Sequence, residues 1–326
     1  MENNKEILIS IVIPVKNGGP WIDNCIRSIM GQSLHSKTEI IIIDSGSTDN
    51  TLELLKKYPV RLFSIPAGEF NHGLTRNFGV SHCKGKYVAF TVQDAVPADV
   101  NWLEKLFDCF SDELIAGVCG RQVVPHDPNY NPLDWYRPAS SPIIRRYQFT
   151  PPQSFFKLTP SEKKGVCAWD NVTAMYRKDI LLGLPFEKTV FAEDIIWAKN
   201  ALLNGYAIVY NPAAQVYHYH FEDREYVFKR TLTTLYFRYK YLGDIPEFRS
   251  YKLRNILSMV KSIFGAEGIA LKKKFYWLRY NIERIKVTKS VIKLFKESLA
   301  KSESELDLVH QRICGVPPIP VKFSKL

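Results

Sequence analysis

Carboxylates at the ends of apolar runs are the residues of this sequence best placed to do chemistry. Asp44 closes the run Glu39–Ile43, Asp94 follows Tyr87–Val92 and Gln93, and Glu193-Asp194 opens a helical stretch. A carboxylate such as Asp44 at a strand end can accept a hydrogen bond from a base N–H or a ribose hydroxyl. Gly46 and the serines beside it let backbone N–H groups approach a ligand closely. Asp49 serves more simply as the cap of the next helix. Asp94 alone says little, because Asp is common in turns. It gains meaning with a second ligand, and His218 or His220 in the segment VYHYH can supply one. Each histidine by itself reads equally well as a packed or surface imidazole. Together, imidazole nitrogen and carboxylate oxygen suit Mn²⁺ or Mg²⁺, which would neutralise a departing diphosphate. One carboxylate of Glu193-Asp194, pointing into a crevice, could deprotonate an acceptor hydroxyl. Acids at a helix N-terminus are also stabilised by the helix dipole without any catalytic role. The local composition leaves both readings open.

These groups need strands that end together. Glu6–Val15, Glu39–Ile43, Val60–Ile65 and Tyr87–Val92 are near-continuous apolar runs of strand length, and Ala207–Tyr210 is a final short one. Helices are expected from Pro20 to about Met30, through Leu52–Leu55, over Thr75–His82, over Asn101–Phe110 and from about Asp194 to Leu203, where Gly205 stops the last. Strands alternating with helices indicate a mostly parallel sheet covered on both faces. In such a sheet ligands bind beyond the carboxyl ends of the strands, at the point where strand order reverses. Pro14-Val15-Lys16-Asn17, Asp44-Ser45-Gly46 and Gln93-Asp94 should therefore converge. Pro125–Pro160 is irregular and rich in proline and aromatics, and a loop of that length is usually functional. Further on, Leu271, Phe275, Leu278, Ile282, Ile285, Ile292, Phe295 and Leu299 recur at helical steps, predicting an amphipathic seam.

With 326 residues, 46% of them hydrophobic, the chain is long enough for a large α/β domain and an appendage. Its net charge of +11 is uneven. From Phe221 onward lie 22 Lys+Arg and 11 Asp+Glu, whereas the first 220 residues balance 22 of each. The expected division is a catalytic domain over 1–220 and a basic helical region over 221–326. The six cysteines never form a C-x-x-C pair, which argues against a zinc ribbon or disulfide framework and fits a reducing cytoplasm. Neither a signal peptide nor a bilayer-spanning run is visible. The expected location is cytoplasmic, at most peripheral on the inner face of the cell membrane. There the basic region could meet anionic lipid. No nucleic-acid-binding motif is present.

Taken together, IVIPVKN (11–17), IIIDSGSTDNT (41–51), FNHGLTRNFG (70–79), FTVQDAVP (90–97), FAEDIIWAKNALLNGY (191–206) and VYHYH (216–220) resemble the family 2 glycosyltransferases of the GT-A fold. These are inverting enzymes that use nucleotide-sugar donors. Within the family, FNHGLTRNFG, QDA, WDN (169–171) and HYH are most similar to bacterial rhamnosyltransferases of O-antigen and cell-wall polysaccharide assembly, which generally use dTDP-rhamnose. The resemblance implies that Asp44 recognises the pyrimidine base with the backbone around Pro14, Val15 and Asn17, aided by Gly46. It places Arg76, with His72, at the nucleotide, and Gln93 in the donor site. It makes Asp94 the metal-binding acid with His218 or His220 as the other ligand, and Asp194 the catalytic base with Glu193 beside it. Trp169, Asp170 and Asn171 fall where the family lines its acceptor cleft. One departure stands out. The family's D-x-D is Val92-Gln93-Asp94 here, and a single carboxylate weakens the expected hold on the metal.

The implied reaction is one in-line displacement that inverts the anomeric centre, onto a saccharide hydroxyl whose carrier is expected to be lipid-linked. A UDP-sugar donor, or a protein that binds nucleotide sugars without turning them over, are the alternatives. A nucleotidyltransferase would need a Gly-rich phosphate loop that Val15-Lys16-Asn17-Gly18-Gly19 does not make. A dehydrogenase would need a G-x-G-x-x-G that is absent.

Overall fold

In the computed structural model the described residues form nine strands: β1 (Ile9–Val15), β2 (Thr38–Asp44), β3 (Val60–Ser64), β4 (Tyr87–Phe90), β5 (Val96–Pro97), β6 (Ile115–Val123), β7 (Arg145–Tyr147), β8 (Ala174–Arg177) and β9 (Ala207–Tyr217). The helices are α1 (Ile22–Met30), α2 (Thr51–Leu55), α3 (His72–Ser81), α4 (Trp102–Phe107), α5 (Pro160–Val166), α6 (Lys178–Gly183), α7 (Glu193–Leu203), α8 (Arg224–Leu242), α9 (Leu253–Gly265), α10 (Leu271–Lys301) and α11 (Glu303–Cys314). The structure describes residues 6–136, 142–247 and 253–315. They fall into two units, Met1–Val123 with Ser140–His218, and Val124–Ala139 with Tyr219–Leu326. The stretch Pro125–Pro160, read from sequence as one irregular loop, is thus divided between the two.

The first unit is a sheet in the order β3-β2-β1-β4-β8-β6-β9-β5, with β7 also paired to β9. β1 pairs in parallel with β2 and β4, and β2 with β3. β8 then enters antiparallel to both β4 and β6, before β6 and β9 pair in parallel. The chain moves outward from β1 to β3 and returns to β4 on the other side of β1. The carboxyl ends of β1 and β4 therefore flank the reversal point where such sheets bind ligands. Ile9, Ile11 and Ile13 of β1 are buried in one core with Ile22, Ile26 and Ile29 of α1 and with Trp102 and Leu103 of α4. β9 runs eleven residues, well past the expected Ala207–Tyr210. Its far end pairs with β5, Val96 opposite Tyr217, so that His218 follows directly beside the Asp94-Ala95 turn.

The second unit is helical. Val227 and Leu232 of α8, Val287, Val291 and Phe295 of α10 and Leu306 of α11 form one apolar cluster. Met259 and Ile263 of α9 form another with Trp277 of α10. The buried line along α10 is Trp277, Asn281, Val287, Val291, Phe295 and Ser298. Of the seam read from sequence, Phe295 lies on this line, and Leu278, Ile285 and Leu299 pack partly buried against the two clusters. Leu271, Phe275 and Ile282, expected inside, are 62%, 56% and 38% exposed. The reason is Asn281, a polar residue on the buried side. Its amide exchanges two hydrogen bonds of 3.0 and 2.9 Å with that of Asn131. A buried amide satisfied in this way carries no desolvation penalty for the helix to avoid. Phe295→Ala should accordingly cost about 3–5 kcal/mol in chemical denaturation. Leu271→Ala should stay within about 0.5 kcal/mol of the parent, whereas the seam read from sequence requires comparable losses.

Candidate active site

At the reversal point the two strand-end loops are stitched together by backbone. Asn17 takes a left-handed φ of 50° after β1. There its N–H donates to Ser47 Oγ at 2.9 Å, and its Oδ1 accepts from Thr48 N–H at 2.8 Å. Asp44, 3% exposed, accepts from Gly46 N–H at 3.0 Å and Ser47 N–H at 3.2 Å. Gly46 sits at a φ of 84°, where a side chain would be strained. Asn50, not Asp49, stands at the N-cap of α2, and it makes no side-chain cap bond. Asp49, one position earlier, accepts from Thr51 N–H at the start of α2 and from Gly19 N–H across the loop. Gln93 pairs with the end of β1 in both directions: its Oε1 accepts from Lys16 N–H at 2.9 Å and its Nε2 donates to Lys16 O at 3.2 Å. A carboxylate could make only the first of these bonds.

The segment FNHGLTRNFG is α3 with its cap. Asn71 accepts from Gly73 and Leu74 N–H, so the helix starts at His72, three residues before the sequence signal. Gly73 is needed there because a Cβ would lie 2.1 Å from Glu187 O. Asn77 donates to Phe186 O and accepts from Phe186 N–H, and Asn71 Nδ2 donates to Thr189 O. These bonds fix the loop that leads into α7. Arg76 then meets Glu193 in a buried ion pair of 2.9 Å, with the guanidinium also over the Phe90 ring and donating to His72 O.

Ala192, at a left-handed φ of 65°, turns the chain into α7. Glu193 points inward, where Asn171 Nδ2 donates to it at 3.1 Å. Burial works to raise its pKa, but Arg76, His72 and Asn171 overcome this and hold it below the ordinary carboxylate range. Asn171 in turn accepts from Tyr176 Oη, which accepts from Trp169 Nε1. Trp169 and Asn171 are only 6% and 2% exposed, so both are interior residues of this network. Asp194 differs from its neighbour. Its Oδ1 accepts from Ile195 N–H at 2.7 Å, yet its pKa is pushed well above the ordinary value. Desolvation is the main cause, followed by the negative charges of Glu193 and Asp170.

Asp170 also begins a second chain of contacts. It accepts from Gln122 Nε2, and Gln122 Oε1 meets His218 Nδ1 at 2.6 Å. That orientation of the amide makes Nδ1 the donor. His218 Nε2 then faces Asp94 Oδ1 at 3.5 Å, either as an imidazolium nitrogen or as a lone-pair donor. His220 adds a third ligand atom, all three lying within 4.8 Å of one another. One carboxylate and two imidazoles, one of them oriented from behind by an amide, form a group able to hold a divalent cation.

The family model for glycosyl transferase family 2 matches residues 10–182. This chain is a member of that family. It is 34% identical over 219 residues to the O-antigen chain rhamnosyltransferase RfbN of Salmonella typhimurium, covering 65% of this chain and 66% of that one. It is 30% identical over 231 residues to the O-antigen chain rhamnosyltransferase WbaN of Salmonella anatum, covering 69% and 70%. The chain thus spans about two thirds of the length of these relatives. Its fold is similar to that of the mannosyltransferase PcManGT from Pyrobaculum calidifontis, solved with GDP-Man and Mn²⁺ (TM-score 0.54, 17% identity, 95% and 87% covered). It is also similar to residues 1–349 of S. aureus TarS (TM-score 0.51, 15% identity, 94% and 90% covered).

In this glycosyltransferase the residues singled out from sequence gather into three groups, one of them the buried Arg76–Glu193–Asn171 network. Asp44, Asn17, Gly46 and Gln93, with the backbone of Pro14 and Val15, surround the ends of β1 and β2. Asp94, His218 and His220 form the cation group, connected through Gln122 and Asp170 to the electrostatics of Asp194. Gln122 was not singled out from sequence. Its signal, a polar residue near the end of the apolar strand β6, is no stronger than that of many surface residues. The Arg76–Glu193 pair holds α3 against α7. Removing one partner leaves a buried charge, so Glu193→Gln and Arg76→Leu should each lose roughly 3–5 kcal/mol in denaturant unfolding. The double variant should recover part of that loss, and simple additivity of the two would show that the charges do not support each other.

Proposed function

We propose that this enzyme transfers a sugar, with inversion, from a nucleoside diphosphate donor to a saccharide hydroxyl, using Asp194 as the base. The observation that carries the assignment is the contrast between adjacent carboxylates. Glu193 is neutralised by Arg76 in a direct ion pair, while Asp194 feels the same guanidinium only as a lesser effect and is made more basic by burial and by two negative neighbours. A base of raised pKa takes a proton more readily once it is itself ionised. Asp44 and the loop it orders receive the base and ribose of the donor. Gln93 keeps the end of β1 in place for that loop, and Arg76 acts by fixing the start of α7 with Glu193. Asp170 tunes Asp194 at the acceptor side, and Trp169 and Asn171 support it from the interior. Asp94, His218 and His220 would hold Mn²⁺ or Mg²⁺, which when bound supplies positive charge against the leaving diphosphate.

The two relatives are named O-antigen chain rhamnosyltransferases, which favours rhamnose as the sugar and an O-antigen chain as acceptor; dTDP as its carrier and a lipid-linked acceptor are what the family resemblance implies. A UDP-linked donor is the second reading. A calorimetric panel of dTDP-rhamnose and UDP- and GDP-sugars, with and without Mn²⁺, separates them: tight binding of a UDP-sugar and none of dTDP-rhamnose would reject the rhamnose assignment.

Asp194→Asn should lower turnover by about 10²- to 10⁴-fold with donor affinity nearly unchanged. Transfer that survives in that variant would take the role of base away from Asp194. In the parent, turnover should rise with pH through an ionisation above the ordinary carboxylate range. Asp170→Asn removes a neighbouring negative charge and should move that limb to lower pH; an unmoved limb would mean that another group titrates. Chelator should abolish transfer and added Mn²⁺ or Mg²⁺ restore it, with His218→Ala needing more metal for half-maximal rate. Full activity in chelator would leave the diphosphate to protein cations.

A further inference from the structure

The second unit carries a surface that the transfer reaction does not use. Along one side of α10, Leu271, Phe275, Arg279, Ile282, Lys286 and Lys293 recur at steps of three, four and seven residues. This side lies opposite the buried line that starts at Trp277, and Leu271 and Phe275 keep more than half their surface exposed. On α9, Arg254, Leu257 and Lys261 recur in the same way, Leu257 being 60% exposed. The two helices are joined by the Phe264 and Phe275 rings, whose centroids are 5.2 Å apart. From Arg254 to Lys296 the sequence holds eleven Lys and Arg against two acids, Glu267 and Glu283.

Large apolar side chains left in water at regular helical spacing, each flanked by cations, are costly for a surface that meets only solvent. A protein partner that covered them would have to bring a matching density of acids. Nucleic acid would satisfy the cations and leave the aliphatic chains of Leu257, Leu271 and Ile282 without a counterpart. A bilayer with anionic headgroups satisfies both: the cations meet the phosphates, and the apolar chains enter the boundary of the acyl layer. Lys and Arg stems can extend along the apolar side chains while their heads stay at headgroup level. None of the described helices is long and apolar enough to cross a membrane, so contact of this kind lies along the surface.

We propose that the α9–α10 face docks this protein on the surface of an anionic phospholipid bilayer, with Leu257, Leu271, Phe275 and Ile282 inserted and Arg254, Lys261, Lys272 and Arg279 at the headgroups. The proposal extends the reading of a lipid-carried acceptor, but its chemistry rests on this face alone.

The test is sedimentation of the full chain with vesicles of equal parts phosphatidylglycerol and phosphatidylcholine. The protein should pellet with them at low salt, be released at high salt, and ignore vesicles of phosphatidylcholine alone. Lys272→Gln and Arg279→Gln should each weaken partition by roughly fivefold, the factor expected of one cation near such a surface. The double variant Leu271→Glu/Phe275→Glu should abolish it with the helical circular dichroism of the parent, at a melting temperature lowered only by loss of the Phe264–Phe275 contact. All these variants should transfer to a soluble acceptor at the parent rate, and Asp194→Asn should still pellet. Transfer retained by Asp194→Asn, with pelleting intact, would count against the base and leave the docking face standing. No pelleting, equal binding to neutral vesicles, or pelleting retained by the Leu271/Phe275 variant would overturn the proposal. So would a dimer of the parent that this variant dissolves.

Discussion

The buried ion pair between Arg76 and Glu193 is the contact on which the catalytic half of this protein depends. An unpaired carboxylate at that depth would protonate or pull the start of α7 outward. Paired, it draws α7 inward, and the next residue, Asp194, projects about 100° further round the same turn. The pair is itself held by neighbours: Asn171 and the backbone of His72 take up part of the remaining hydrogen-bonding capacity, and Tyr176 and Trp169 orient Asn171. Two consecutive acids thereby acquire opposite electrostatic characters. One is stabilised as an anion and the other is destabilised as one, which is how a fold separates a structural carboxylate from a reactive one.

The donor side follows a different logic. Gln93, the middle residue of Val92-Gln93-Asp94, makes two bonds to the Lys16 backbone that an ionised carboxylate could not make together. It fixes the end of β1 without adding negative charge. His218 is brought beside Asp94 by the β5–β9 ladder and oriented by Gln122.

Much of this was legible in the sequence because apolar runs and their ends are local signals. β1 and β2 follow from their isoleucine- and valine-rich composition, β4 from the apolar run Tyr87–Val92, and Asp44 and Asp94 from their places at or after the strand ends. Other features depend on partners far along the chain. α3 begins at His72 because Asn71 caps it and Gly73 clears Glu187, although Asn71-His72-Gly73 looks like a turn in isolation. The buried side of α10 is set by Asn281, whose partner Asn131 lies 150 positions away. An apolar count along the helix cannot see that a polar residue is satisfied. The same holds for Gln122, which matters only because Asp170 and His218 meet it from two other segments.

The left-handed alanine before α7 has a consequence for how the site keeps its shape. Glycine would enter that conformation without steric cost, while alanine gives up about 1 kcal/mol there. Glycine would also widen the range of angles open to the joint, in the folded protein as well as the unfolded chain. With alanine the joint has few other places to go once Glu193 is anchored. Strain at Ala192 therefore works as a stiffener: folding energy is given up at one residue so that Asp194, two positions on, keeps a constant aim.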